Sequence, residues 1–311
     1  MAQTPIREPA GVPGAVGATA PSLGSVSRRP LWLQVGRRFV RHRLALTGGL
    51  ILLLLVLAAV LAPWVAPYKP DAQDLGAMLV PPSPKHWMGT DDLGRDLLSR
   101  VIYGGRISLA VGFFAMVVAI LVGGTVGAVA GFAGGLVDNL LMRVTDAALS
   151  IPYLFVLLVL SVLITPSTPG LIVIIGLTQW MYPARILRAE FLSLKQREFV
   201  EGARALGAPT GRIILRHILP NALSSLLVNA TLAVGQSIII ESVMSWLGLG
   251  IQPPTASWGS MLSDAQTYVT SAPWLALFPG LMIFLTVLSF NLVGDGLRDA
   301  LDPNAVDHRA A

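Results

Sequence analysis

The sequence predicts an all-α membrane protein with six transmembrane helices and both termini in the cytoplasm. Three observations carry this reading. First, 54% of the 311 residues are hydrophobic and only 13% are charged, where a soluble domain has about a quarter charged. Mean hydropathy is +0.69. Second, apolar stretches of bilayer length recur along the chain. Third, the cations are unevenly placed, which sets orientation.

The elements follow in order. Residues 1–30 are rich in Pro, Gly, Ala and Ser and lack periodicity, which predicts a disordered tail. A basic amphipathic run closes the segment 1–43, with Arg37, Arg38, Arg41, His42 and Arg43. The first apolar stretch, 44–62, is long enough to cross a hydrocarbon core of about 30 Å. Basic-then-apolar is also the make-up of a secretory signal. The length of the run, Pro63 and the further spans favour a retained helix.

Residues 63–106 read as a polar external loop, and 44–106 as one unit with the first helix. The second span is 107–132. The third includes 151–164 and starts earlier, on the helix holding Met142 to Ala148. The fourth covers roughly 171–187, the fifth 222–246 and the sixth 274–293. Together 107–297 form a core of five spans, and 298–311 a C-terminal tail.

Orientation follows from counting Lys and Arg. With the N-terminus inside, 17 of the 22 are cytoplasmic: seven before residue 44, Arg143, seven from Arg185 to Arg216, Arg298 and Arg309. The external side keeps Lys69, Lys85, Arg95, Arg100 and Arg106, accompanied by five aspartates.

Several chemistries are excluded. Without cysteine there are no disulfides, thiolate metal sites or Cys nucleophiles. The histidines lack metal-ligand spacing. No Gly-Lys pair exists, so the chain has no phosphate-cradling GxxxxGK[ST] loop. HExxH and GxSxG are absent too. No cofactor or metal site is expected, and the chain is not expected to be an enzyme.

Between the fourth and fifth spans lies a basic segment, 190–221. EFLSLKQREFVEGARAL (190–206) reads as one helix with Phe199, Ala203 and Leu206 on one face. Gly207 suits a left-handed stop, and Pro209 cannot continue the helix. Thr210 is a plausible N-cap for a second helix that runs to Pro220, which begins or kinks the next span. Such a pair can rest on anionic lipid, serve as a topology signal, or imitate a DNA-reading helix-turn-helix. None of these requires turn chemistry this specific. A rigid knob fitted to a partner protein does.

Glu201-Gly202-Ala203, three residues, Gly207, then Ile218-Leu219-Pro220 resembles the EAA motif of membrane subunits of binding-protein-dependent ATP-binding-cassette importers. Gly202 stands where that pattern has Ala, and His217 where it has Ile. Three further stretches, 88–112, 245–262 and 291–303, are similar to the second permease subunit of dipeptide, oligopeptide and nickel importers. The resemblance covers about residues 30–303 and implies a type I importer permease fold. It implies an ATPase-coupling element at Glu201, Gly202, Ala203, Arg204, Gly207, Leu219 and Pro220. The implied partners are a homologous permease, two ATPase subunits or a fused pair holding ATP and Mg, and an external binding protein. Peptide is the implied cargo, with nickel chelates, glutathione and other small solutes open, as is a non-transporting scaffold.

Other positions carry two readings each. Asn229 is a packing hydrogen bond or lines the pore. Glu241, expected near the external end of its span, is a structural partner or gate, solvent-exposed, or ion-coupling. Trp258, with Trp274, anchors at the interface or covers the pore. Asp91, Asp92, Arg95 and Asp96 form ion pairs around a helix start, with Asp91 or Asp92 near its N-terminus, or dock the binding protein. Gly123, Gly127 and Gly131 form a small-residue ladder for intrachain packing or a subunit interface.

Overall fold

The computed structural model describes residue 36, residues 38–164 and residues 167–301. The predicted tails before residue 36 and after residue 301 lie outside them. Among the described residues the chain is helical, with one isolated bridge between Thr90 and Asp96.

We label the helices α1 (Arg43–Val60), α2 (Leu97–Ala133), α3 (Gly135–Ser150), α4 (Tyr153–Leu163), α5 (Thr168–Gln179), α6 (Met181–Leu194), α7 (Glu198–Ala205), α8 (Thr210–Trp246), α9 (Trp258–Ala265) and α10 (Trp274–Leu301). Helices α1, α2, α8 and α10 are each long and apolar enough to cross a membrane. The pairs α3–α4 and α5–α6 qualify only together, bent by 89° and 47°. Where straight third and fourth spans were expected, the chain forms two bent helix pairs. Pro152 lies in the first break, and Trp180 and Pro183 in and beside the second.

The expected start of the second span also shifts. Helix α2 begins at Leu97, so the last ten residues of the predicted polar loop are its opening turns. Its 37 residues exceed a hydrocarbon core at 1.5 Å per residue.

Helix α2 is the post around which the rest packs, and its glycines explain how. An added Cβ at Gly123 would strike the carbonyl of Trp180, one at Gly127 that of Ala184, and one at Gly131 that of Arg188. A four-residue rung on α2 therefore meets a four-residue rung on α6 and its lead-in residue, backbone against backbone. The ladder is an intrachain contact. Higher on the post, Gly112 admits Ile238 of α8, and Gly176 of α5 seats against Val118. Helix α1 lies on α10 through Gly48 at Ser289 and through Ala45 at Gly296. Its leucines 50, 53 and 54 stay exposed, as lipid-facing residues do.

Candidate functional site

The segment 190–221 is built in two layers. Its base is an apolar cluster in which Phe191, Val200, Ile213 and Ile218 are fully or almost fully buried, with Ala203 and Ala208 packed against them. Its tip is exposed: Glu201, Gly202, Arg204, Leu206, Gly207, Pro209 and Thr210 all face outward, and Leu206 is 91% accessible.

The turn is fixed by hydrogen bonds. Gly207 has φ +75°, a region that disfavours a side chain. Its N–H donates to the Arg204 carbonyl at 2.9 Å, and Ala208 N–H donates to the Ala203 carbonyl at 3.0 Å. This is a Schellman closure, which satisfies the orphan carbonyls of α7.

Two local expectations change here. The single helix 190–206 is two, because the chain leaves α6 at Leu194 and re-enters at Glu198. Thr210 is the first residue of α8 rather than its cap, which is Pro209. Pro220, expected to begin or kink the fifth span, stands in the first turn of that span's regular α-helical part. It sits inside α8, just after a widened π turn at Ile213–Ile218 in which Leu219 N–H reaches the Ile214 carbonyl. Pro220 has no N–H and would crowd the carbonyl of Arg216, and the wider turn relieves that conflict.

The stem of this segment is tied to the third span by contacts the sequence reading missed. Arg188 of α6 donates to Asp138 of α3 through both Nε and Nη2, the latter at 2.7 Å. Arg185 Nη2 reaches Asp146 at 2.6 Å, and Lys195 Nζ donates to the Gly131 carbonyl at 3.0 Å. Ser225 Oγ donates to Glu190 at 2.6 Å, binding α8 to α6. The only sequence signal was opposite charge on flanks assigned to one side of the membrane.

On the opposite end, the Asp91–Arg100 cluster turns inward. Asp91 is 6% accessible, and Arg95, Asp96 and Arg100 are equally buried. Asp91 accepts from Arg95 N at 2.8 Å and Arg95 Nε at 2.6 Å, and lies 3.4 Å from Arg100 Nε. Asp96, rather than Asp91 or Asp92, caps α2 by accepting from Ser99 N at 2.8 Å, and stands 2.9 Å from His86 Nδ1. Ion pairing around the helix start is what this geometry holds, so of the four docking candidates only Asp92 is left partly exposed. Asp264 on α9 faces Arg100 Nη2 at 3.8 Å. Desolvation lifts its carboxyl above the ordinary value, against the opposing pull of Arg100 and Arg95.

Glu241 is fully buried. Its Oε1 accepts from Ser257 Oγ at 2.7 Å and Ser245 Oγ at 2.9 Å, and its Oε2 lies 3.4 Å from Ser108 Oγ. It therefore joins α8, α2 and the start of α9, as a structural partner does. Solvent exposure, one expected reading, is ruled out. Trp258 is buried beside it, its indole donating to the Val101 carbonyl at 2.9 Å and its backbone N–H to Ser108 Oγ at 3.0 Å. Neither an interfacial anchor nor a free cover matches that burial. Trp274 donates at 3.4 Å to the Thr90 carbonyl. Asn229 is half-buried, and its side chain bonds to no protein group among the described residues.

Comparison with known proteins agrees with this architecture. Residues 123–306 match the family described as binding-protein-dependent transport system inner membrane component. Residues 30–82 match the N-terminal transmembrane domain of oligopeptide transport permease C. The chain is 44% identical over 268 residues to the dipeptide transport system permease protein DppC of Bacillus subtilis, covering 86% of this chain and 84% of that one. It is 42% identical over 273 residues to the oligopeptide transport system permease protein OppC of the same organism, covering 88% and 90%. The glutathione transport system permease protein GsiD of Escherichia coli is 43% identical over 276 residues, covering 88% and 91%. This multi-pass membrane chain thus belongs to the family of inner-membrane permease components of binding-protein-dependent importers.

Proposed function

We propose that this permease subunit supplies half of a translocation pathway for di- or oligopeptides and draws its driving force from a separate ATPase through segment 190–221. The observation that carries the reading is the tip at Leu206–Gly207, exposed on a fully buried apolar base. A flexible loop would absorb a partner's motion, whereas a knob with a closed turn and an anchored foot passes it on.

Glu201, Gly202, Ala203, Arg204 and Gly207 form the docking element, and Leu219 and Pro220 fix its exit into α8. ATP and Mg stay on the partner ATPase subunits, two chains or one fused pair. A homologous second permease supplies the other half of the path, and an external binding protein delivers cargo to the side that carries Asp92. The bent pairs α3–α4 and α5–α6 act as the third and fourth of six spans, and both termini face the cytoplasm, as the cation distribution supports. Residues 1–43 and 298–311 flank the first helix and loop (44–106) and the core (107–297). Peptide cargo is supported by the names of the relatives, which refer to dipeptides, oligopeptides and glutathione.

Coupling requires the ATPase states to contact the knob differently. ATP binding favours the outward-facing path and hydrolysis resets it. The chain has no native cysteine, so Leu206→Cys places one thiol at the tip. In the assembled importer it is expected to crosslink to the ATPase subunit, and ATP turnover is expected to rise with loaded binding protein. A thiol that reacts only with lipid-soluble reagents, or turnover indifferent to the binding protein, sinks the reading.

A further inference from the structure

We infer that a cavity at the two helix breaks is a peptide-backbone contact site on the path, with neutral hydrogen-bonding groups set in a largely apolar wall. The inference rests on the peptide reading above and assigns the residues that would meet the cargo.

The cavity holds about 550 Å³, within the roughly 300–1,000 Å³ typical of small-molecule sites. Its walls come from both broken spans: Ile151, Pro152 and Tyr153 where α3 meets α4, Thr178 and Gln179 where α5 ends, and Gln236 of α8 across from them. Backbone that leaves the helix at membrane depth is tolerated only where it is buried in protein or faces a water-filled space. Two adjacent breaks opening on one cavity satisfy that condition together.

The lining decides the ligand chemistry. It contains no Asp, Glu, Lys, Arg or His. A metal cation finds no carboxylate or imidazole ligand there, and the charged termini of a peptide find no fixed countercharge, which leaves the peptide groups between them as the part this wall can hold. What the wall offers instead are two side-chain amides and the hydroxyls of Tyr153, Tyr182 and Thr178. An amide presents a carbonyl acceptor and N–H donors, the complement of a peptide group.

Not all of these groups are free: Thr178 Oγ1 donates to the Ile175 carbonyl at 2.9 Å, which leaves it only as an acceptor. Gln179 Nε2 donates to Ser237 Oγ at 2.8 Å, which holds that amide at the wall. The side chains of Gln236, Tyr153 and Tyr182 bond to no protein group among the described residues. Recognition through the backbone alone passes peptides of any side chain, and neutral hydrogen bonds hold cargo weakly enough to release it.

The test uses the complete importer in proteoliposomes, with its binding protein and radiolabelled trialanine. Gln179→Cys and Gln236→Cys are each treated with a charged methanethiosulfonate. Leu163→Cys, on an exposed face at the end of α4, is the control. Both cavity thiols are expected to react, to be protected while loaded binding protein drives turnover, and on modification to stop uptake. The control thiol leaves uptake unchanged. Gln236→Leu is expected to slow uptake about two- to ten-fold, the loss of one hydrogen bond, with stimulation of the ATPase intact. Thiols that stay unreactive, because the second permease covers them, overturn the site, as do thiols that react without slowing uptake. Parallel loss of uptake and ATPase stimulation in Gln236→Leu also overturns it, by pointing to a structural role. If the unmodified importer takes up no trialanine or other short peptide, the peptide reading fails first and this site falls with it.

Discussion

Two charged, glycine-punctuated regions that lead into bilayer-length helices have similar composition and opposite architecture. At 88–100 the carboxylates and guanidiniums pair with one another under cover, and the chain wraps them with bonds such as Leu79 N–H to the Asp91 carbonyl. At 198–212 the polar side chains point out together with Phe199 and Leu206, while Val200, Ala203 and Ala208 pack beneath. One region consumes its charge to seal a helix start, and the other displays it. Burial, and not composition, separates a structural clasp from a contact surface.

That contrast breaks down if the clasp tolerates loss of a partner. Asp91→Ala leaves Arg95 and Arg100 buried without their shared carboxylate, which is expected to cost about 3–5 kcal/mol. Thermal unfolding of the purified protein would read this as a large drop, and an unchanged midpoint would mean that the charges are solvated after all.

The knob gives a sharper test, because one substitution is expected to act in opposite directions five residues apart. Gly207→Ala forces a side chain to φ +75° and costs about 1–2 kcal/mol, although an added Cβ meets nothing within 4 Å. Gly202→Ala, equally open and inside α7, stabilises that helix by up to about 1 kcal/mol. Hydrogen exchange across 198–212 should speed up for Gly207→Ala and slow down for Gly202→Ala, and ATPase stimulation should fall only for Gly207→Ala.

The stem comes next. Asp138→Asn weakens the forked bond to Arg188, and because that arginine is one-third accessible the stability cost stays near 1 kcal/mol. Coupling is expected to suffer more than stability, so ATP hydrolysed per solute imported should rise. Smallest of all is Leu206→Ala, a change at an exposed position expected to fall within about 0.5 kcal/mol. If Leu206 belongs to a contact surface, crosslinking to the ATPase and its stimulation drop while the unfolding midpoint stays.

What the sequence made legible was local. Gly207 followed by Pro209 announced a left-handed stop, and apolar runs announced the unbroken helices. The ladder of Gly123, Gly127 and Gly131 announced a close approach without naming its partner, since α6 lies some sixty residues downstream. The burial of Asp91 was hidden for the same reason. It depends on a wrapping loop at 77–90 and on Asp264 and Trp274 from the far end of the chain. Glu241 was visible as an anomaly, but its serine partners at 108 and 257 come from two other helices. The breaks at Pro152 and Trp180 were misread because hydropathy averages over a bend.

The π turn at Ile213–Ile218 has a geometric consequence. It accommodates one residue more than an α turn, and each residue advances a helix by about 100°. The compass bearing at which Leu206 and Gly207 leave the core is therefore set by that single surplus residue. Removing it would swing the protrusion by more than a quarter of a circle without altering any of its own atoms.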